Sequence, residues 1–260
     1  MPRLRGASIA MPPPEERWAY LNEAIFGDVD RGGQHARPLD EALPWSWADS
    51  FGREAPLMLE IGFNRGKFIT ELAERFPDHN VVGIEIRKRF VVRLAQVVGA
   101  AGSPKNLRVA WGDAKVLLPA LFAPGSLSAM FITFPDPWWK KRHEKRRLVD
   151  TRFAAGIAER LAEGGVIWVK SDVPMIADEI REALCARPEF DEPVSFERDD
   201  LPLTHRERSC VKKGLPIYRF KLTRNASPFD ETLAAGLEAE SHREQESDVE
   251  HEGSGEDMGS

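Results

Sequence analysis

Between Trp138 and Leu148 the chain carries six Lys/Arg residues and one Glu, directly after the string Phe134-Pro135-Asp136-Pro137. Cations at that density suit a polyanion, because each phosphate neutralised by Lys or Arg adds salt-dependent affinity and fixes position. Trp138 and Trp139 offer flat faces on which an unstacked base can rest. A bare charge run is more often a solvated loop with its tryptophans in the core. The stiffness of Pro-Asp-Pro and its place at the end of an apolar run give this one a fixed aim.

Asp136 is one of four acids in similar surroundings. Leu57–Ile61, Asn80–Glu85, Leu107–Trp111 and residues 128–134 read as short strands, and Glu60, Glu85, Asp113 and Asp136 stand at or just past their ends. The first strand runs into Gly62-Phe63-Asn64-Arg65-Gly66, whose glycines permit a tight turn and close approach of a ligand. A carboxylate after the second strand suits a ribose diol, since it accepts two hydrogen bonds. Dinucleotide sites need G-x-G-x-x-G to seat a pyrophosphate on a helix N-terminus. Here the middle glycine is Asn64, and an acid, Glu60, lies beside the loop, which favours a cationic cofactor without phosphate. Asp113 is then placed for an adenine amino group. Any one such acid is often a helix cap and any one such glycine a turn; four acids at four successive strand ends exceed what capping accounts for.

Elements of alternating type must position these residues. Helical apolar spacing covers 65–76, 87–99, 151–161 and 173–184, and further strands are expected at 166–170 and 216–222. Strand–helix alternation predicts an α/β fold with a doubly wound, mostly parallel sheet, at whose carboxyl rim ligands bind. Residues 1–54, broken by Pro12-Pro13-Pro14 and Gly32-Gly33, are expected to be a partly disordered leader in which Trp45 and Trp47 are among the docking points. Residues 55–226 form the domain.

The net charge of −6 conceals a division. Residues 227–260 hold eleven Asp/Glu and one Arg, a net of −10, which leaves +4 on residues 1–226. The body is mildly basic and admits a polyanion partner; the tail, poor in aromatics, is expected to be disordered. The two cysteines, Cys185 and Cys210, have no metal-ligand or disulfide spacing, so no metal is expected and a reducing cytoplasm fits. No apolar run approaches a membrane span, and the arginines near the N-terminus precede no apolar signal core.

The string F-P-D-P-W-x-K-x-R-H-x-K-R-R at 134–147 resembles that of the bacterial tRNA (guanine-N7-)-methyltransferases. The resemblance runs from about Leu57 to Leu222 through Leu-Glu-Ile-Gly at 59–62, Gly-Ile-Glu at 83–85, Gly-Asp-Ala at 112–114, Lys-Ser-Asp at 170–172, Thr204 to Glu207 and Gly-Leu-Pro-Ile-Tyr at 214–218. It implies a Rossmann-like class I methyltransferase fold with a seven-stranded sheet, S-adenosyl-L-methionine as cofactor, and tRNA as partner of a monomer or homodimer. It implies methyl transfer to N7 of a guanine, at position 46 of the variable loop. Glu60, Gly62, Glu85, Asp113 and Asp136 would bind cofactor, with Asp136 also the catalytic residue. Lys140, Asp172, Thr204 and Glu207 would contact substrate, and Arg142, His143, Lys145, Arg146 and Arg147 would touch RNA. The chain departs from the family at Asn64, where glycine is usual, at Trp139, and at His205-Arg206, where an aromatic is usual.

Guanine N7 has a free lone pair and no proton, so the transfer needs positioning and desolvation rather than a nucleophile or base. Two rival classes are an NAD-dependent oxidoreductase, disfavoured by the Asn64 loop and the basic strip, and a non-catalytic RNA-binding protein on the same fold, disfavoured by the intact set of four acids.

Overall fold

The computed structural model describes residues 45–98, 104–138, 147–197 and 200–233, with the backbone of short strands at 24–26, 28–29 and 36–37. In chain order the strands are β1 (Ala24–Phe26), β2 (Asp28–Val29), β3 (Ala36–Arg37), β4 (Leu57–Ile61), β5 (Asn80–Glu85), β6 (Leu107–Trp111), β7 (Leu127–Thr133), β8 (Leu161–Ser171), β9 (Val194–Ser195) and β10 (Tyr218–Thr223). The helices are α1 (Trp47–Phe51), α2 (Lys67–Arg75), α3 (Lys88–Val98), α4 (Ala114–Leu121), α5 (Thr151–Arg160), α6 (Pro174–Cys185) and α7 (His205–Lys213). None of the helices in the described residues is long and apolar enough to cross a membrane.

The main sheet has the order β1-β6-β5-β4-β7-β8-β10-β9. Neighbours from β1 through to β8 pair in parallel, and β10 runs antiparallel to both β8 and β9. The seven strands from β4 onward match the expected sheet; β1, contributed by the leader, adds an eighth at the edge of β6. The chain winds outward from β4 through β5 to β6, then returns to lay β7 and β8 on the other side. The order therefore reverses between β4 and β7, where an open α/β sheet leaves a crevice for ligand.

Period-two alternation on the central strands divides the core into two layers. Leu57, Leu59 and Ile61 of β4 face a layer built with α4, α5 and α6, and Met58 faces one built with α2 and α3. All five residues of β4 are buried, as expected for a strand covered on both faces. Residues 45–53 belong to this packing. Trp47 stacks on Phe122 with ring centroids 5.2 Å apart and donates its indole N–H to the Leu121 carbonyl at 2.7 Å. Arg53 donates to Asn80 Oδ1 at 2.9 Å, and Arg108 donates to the Ser50 carbonyl at 2.8 Å. At the other end, the first residues beyond 226 also dock: the Asp230 N–H donates to Glu189 Oε1 at 2.8 Å. Residues 234–260 lie outside the described residues.

Candidate active site

The loop after β4 takes a left-handed backbone at every second residue: φ is 79° at Gly62, 52° at Asn64 and 77° at Gly66. Asn tolerates this region better than most side chains, which lets it stand between the two glycines. Space favours glycine at Gly66 as well, since a Cβ there would lie 2.6 Å from the Leu94 side chain of α3 and would force it to shift. The turn brings the Asn64 N–H to Glu85 Oε2 at 2.8 Å, tying the end of β4 to the end of β5.

Glu60 sits on β4 at this turn, 1% exposed. Across the sheet it faces Gly83 on β5 and Phe131 on β7, neither of which can donate from a side chain. Thr133 donates its hydroxyl to Glu60 Oε1 at 3.3 Å, and Oε2 is buried with no partner. Burial pushes the Glu60 carboxyl up to about 8; the Thr133 hydroxyl opposes this and the Glu85 charge adds to it. The Thr133–Glu60 bond spans β7 and β4, so it marks the crevice where the strand order reverses. A buried oxygen without a donor is expensive to maintain and is matched by a cationic ligand.

Glu85, also 1% exposed, is differently supplied. Besides the Asn64 N–H it accepts from the Arg87 N–H at 2.9 Å and the Arg87 Nε at 3.1 Å, both on Oε1. Asp113 is the N-cap of α4, its Oδ1 accepting from the Lys115 N–H at 2.9 Å while Oδ2 carries no hydrogen bond among the described residues. Here the capping and ligand-binding readings coexist on one carboxylate.

Asp136 lies in the loop after β7, exposed and without a hydrogen bond among the described residues. The loop is strained on both sides of it, with φ of 51° at Phe134 and 42° at Trp138. Every non-glycine residue with positive φ among the described residues, Asn64 included, therefore lies on the carboxyl rim. Such conformations cost about 1–3 kcal/mol each and persist where the surroundings over-determine them. The Phe134 N–H donates to the Lys170 carbonyl at 2.7 Å, which ties the loop to the end of β8. A small cavity beside Asp136 is lined by Pro135, Arg147, Ile176 and Glu179 among others. Arg147 is mostly buried and donates to Glu179 Oε1 at 2.5 Å. Lys140, Arg142, His143, Lys145 and Arg146 lie outside the described residues.

The predicted substrate residues Thr204 and Glu207 have structural partners. Thr204 caps α7, its hydroxyl accepting from the Glu207 N–H at 2.9 Å. The Glu207 carboxylate, 2% exposed, pairs with Lys170 Nζ at 3.2 Å and with Arg219 Nη2 at 3.1 Å. Asp172, just beyond β8, accepts from Arg206 Nε at 2.9 Å and also from Nη2, both on Oδ2. The fold thus brings Glu60, Gly62, Glu85, Asp113, Asp136 and Asp172 to one rim. Thr133 and Lys170 are rim residues to which the sequence assigns no role, and Arg206, inside the Thr204–Glu207 segment, gains a named partner in Asp172. Lys170 was visible in Lys-Ser-Asp, but nothing in the sequence joins it to Glu207.

A family profile described as "Putative methyltransferase" matches residues 54–220. The tRNA (guanine-N(7)-)-methyltransferase of Synechococcus sp. (strain JA-3-3Ab) is 38% identical over 200 residues, which cover 74% of this chain and 84% of that protein. The protein of the same name from Anaeromyxobacter dehalogenans (strain 2CP-C) is 41% identical over 196 residues, covering 72% and 95%. Among solved structures, the 16S rRNA methyltransferase KamB superposes with a TM-score of 0.52 at 16% identity, over 73% of this chain and 97% of that one. At that identity the likeness speaks for the fold alone.

Proposed function

The chain belongs to the tRNA (guanine-N(7)-)-methyltransferase family, and on that premise we propose that Asp136 presents the target guanine to S-adenosyl-L-methionine held by Glu60, Gly62, Glu85 and Asp113. The enzyme transfers a methyl group to N7 of guanine in tRNA. The bound cofactor supplies an electrophilic methyl on a cationic sulfur. Guanine N7 has a lone pair and no proton, so the protein needs no general base and acts by alignment.

The observation that carries this reading is the bare Oε2 of Glu60 at the switch point. It offers a buried acceptor to the cationic amino-acid end of the cofactor, and Thr133 fixes the other oxygen. Glu85, oriented by Asn64 and Arg87, faces the ribose diol; Asp113 Oδ2 faces the adenine amine. Asp136 accepts from guanine N1–H and the exocyclic amine, which aims N7 at the methyl and places negative charge beside a ring that becomes cationic. Lys140 donates to O6, and Asp172, Thr204 and Glu207 shape the substrate side. Arg142, His143, Lys145 and Arg146 grip phosphates; Arg147, expected among them, is instead mostly buried against Glu179 and anchors the end of the strip. The target is position 46 of the variable loop, in the cytoplasm where tRNA is found.

A non-catalytic RNA-binding protein would retain the destabilising buried acceptor without a ligand to offset it. Unmodified tRNA incubated with methyl-labelled cofactor, then digested to nucleosides, tests the reading. Label in 7-methylguanosine is expected, and its loss when the guanosine at position 46 is replaced by adenosine; label in another nucleoside overturns the reading.

A further inference from the structure

We propose that Arg206 and Asp172 act as one nucleotide-reading pair, Arg206 taking a backbone phosphate beside the target guanosine and holding Asp172 toward the base. The proposal rests on the tRNA-methyltransferase reading above and adds Arg206 to it as a positioning residue. Both Arg206 donors in the pair, Nε and Nη2, converge on Asp172 Oδ2. Asp172 Oδ1 and Arg206 Nη1 carry no hydrogen bond among the described residues. The pair therefore presents an acceptor and a cationic donor side by side, which is what a guanine edge and its phosphate require.

Its location fits that use. The Phe134 N–H to Lys170 carbonyl bond locks two strand ends together; Asp136 lies two residues past Phe134, and Asp172 lies two residues past Lys170. The two acids thus leave the rim from one anchored point. The pair is not what holds α7. That helix is capped by Thr204, tied to β8 and β10 through Glu207, and tied to α2 by Arg208, whose Nη2 lies 3.0 Å from Glu71. The Arg206 side chain is 51% exposed, open to an incoming phosphate, whereas Asp172 is 15% exposed and needs a partner to fix its direction. With α7 held by these other ties and Arg206 half exposed, replacing Arg206 should leave the fold intact.

The test uses the full chain with Arg206→Gln and Arg206→Lys, an unmodified tRNA transcript, and three readouts: melting temperature, tRNA affinity against salt, and single-turnover methylation. Arg206→Gln should melt like the parent, bind tRNA about tenfold more weakly at 0.1 M salt, and show a salt slope shallower by about 0.7–0.9. Its single-turnover rate at saturating tRNA should also fall, because Asp172 loses its orientation. Arg206→Lys should restore the slope but not the rate, since a single ammonium cannot fix the carboxylate by two donors. An unchanged affinity and slope in Arg206→Gln overturns the phosphate contact, an unchanged rate overturns the positioning of Asp172, and a large drop in melting temperature shows a structural pair instead. Formation of 7-methylguanosine by the parent is scored separately, so failure of the underlying reading is not confused with failure of this one.

Discussion

Glu60 and Glu85 sit on adjacent parallel strands and are equally buried, yet Glu85 gathers three donors while Glu60 leaves Oε2 with none. Arg87, just past β5, supplies two of the Glu85 donors, and the loop between β4 and α2 supplies the third. Its left-handed residues turn the Asn64 N–H toward Glu85 and away from Glu60. One acid is thereby satisfied by the protein, and the other keeps a buried oxygen without a donor.

The unmatched carboxyl makes stability depend on pH. Unfolded, Glu60 releases its proton near 4.5; folded, burial holds it up to about 8. Between those values the folded state binds more protons, so stability falls as pH rises. Glu60→Gln removes this dependence. The stability of the variant relative to the parent should rise by roughly 4 kcal/mol between about pH 5 and pH 9. Urea unfolding of the cofactor-free proteins at both pH values measures it. A pH-independent difference would show that Glu60 is already ionised in the fold.

The same proton must leave when a cation occupies the site. Calorimetric titration of the parent with S-adenosyl-L-methionine at pH 7, in two buffers of different ionisation enthalpy, should report close to one proton released per cofactor bound, declining toward none at pH 9. Equal heats in both buffers at pH 7 would place the cofactor's cationic end elsewhere.

The glycines of the loop separate conformational from steric demand. Gly62→Ala adds a Cβ with nothing within 4 Å and meets only the left-handed backbone, about 1 kcal/mol. Gly66→Ala meets that and Leu94 at 2.6 Å, and should lose roughly 2–3 kcal/mol. Denaturation midpoints rank the two; a Gly66→Ala as stable as Gly62→Ala would contradict the packing of α3 on the loop.

Glu207 separates two roles that the family resemblance merges. Glu207→Gln deprives Lys170, 1% exposed, of its buried carboxylate, and should destabilise the protein by about 3 kcal/mol. The variant's tRNA affinity, measured well below its melting temperature, should stay near the parent's. Parental melting with weakened tRNA binding would make Glu207 a substrate contact rather than a strut.

Six main-sheet strands and four helices were legible because their apolar periods are strong and their ends carry turn residues. The acids at the rim were legible for the same reason, as residues just past apolar runs. Helix α4 escaped because Asp113 was assigned to a ligand and Pro119 lies inside the helix. Helix α7 is polar and held by ion pairs rather than an apolar stripe; Thr204-x-x-Glu207 was its one local signal, a helix N-terminus pattern. Strand β1 pairs with a segment more than eighty residues away, and no local pattern specifies such a partner. The difference between Glu60 and Glu85 depends on where two backbone N–H groups and the Arg87 side chain point, which residue types do not encode.

On the proposed function, the Asp136 carboxylate anchors guanine. This anchoring is tested most directly by the single-turnover rate of 7-methylguanosine formation by Asp136→Asn, with tRNA and cofactor both saturating. Asparagine keeps the shape but replaces one acceptor oxygen by a donor, which opposes the guanine N1–H edge. A rate lower by about a hundredfold or more, with tRNA affinity close to the parent's, is the predicted result. A rate near the parent's would show that the Asp136 carboxylate does not anchor the base.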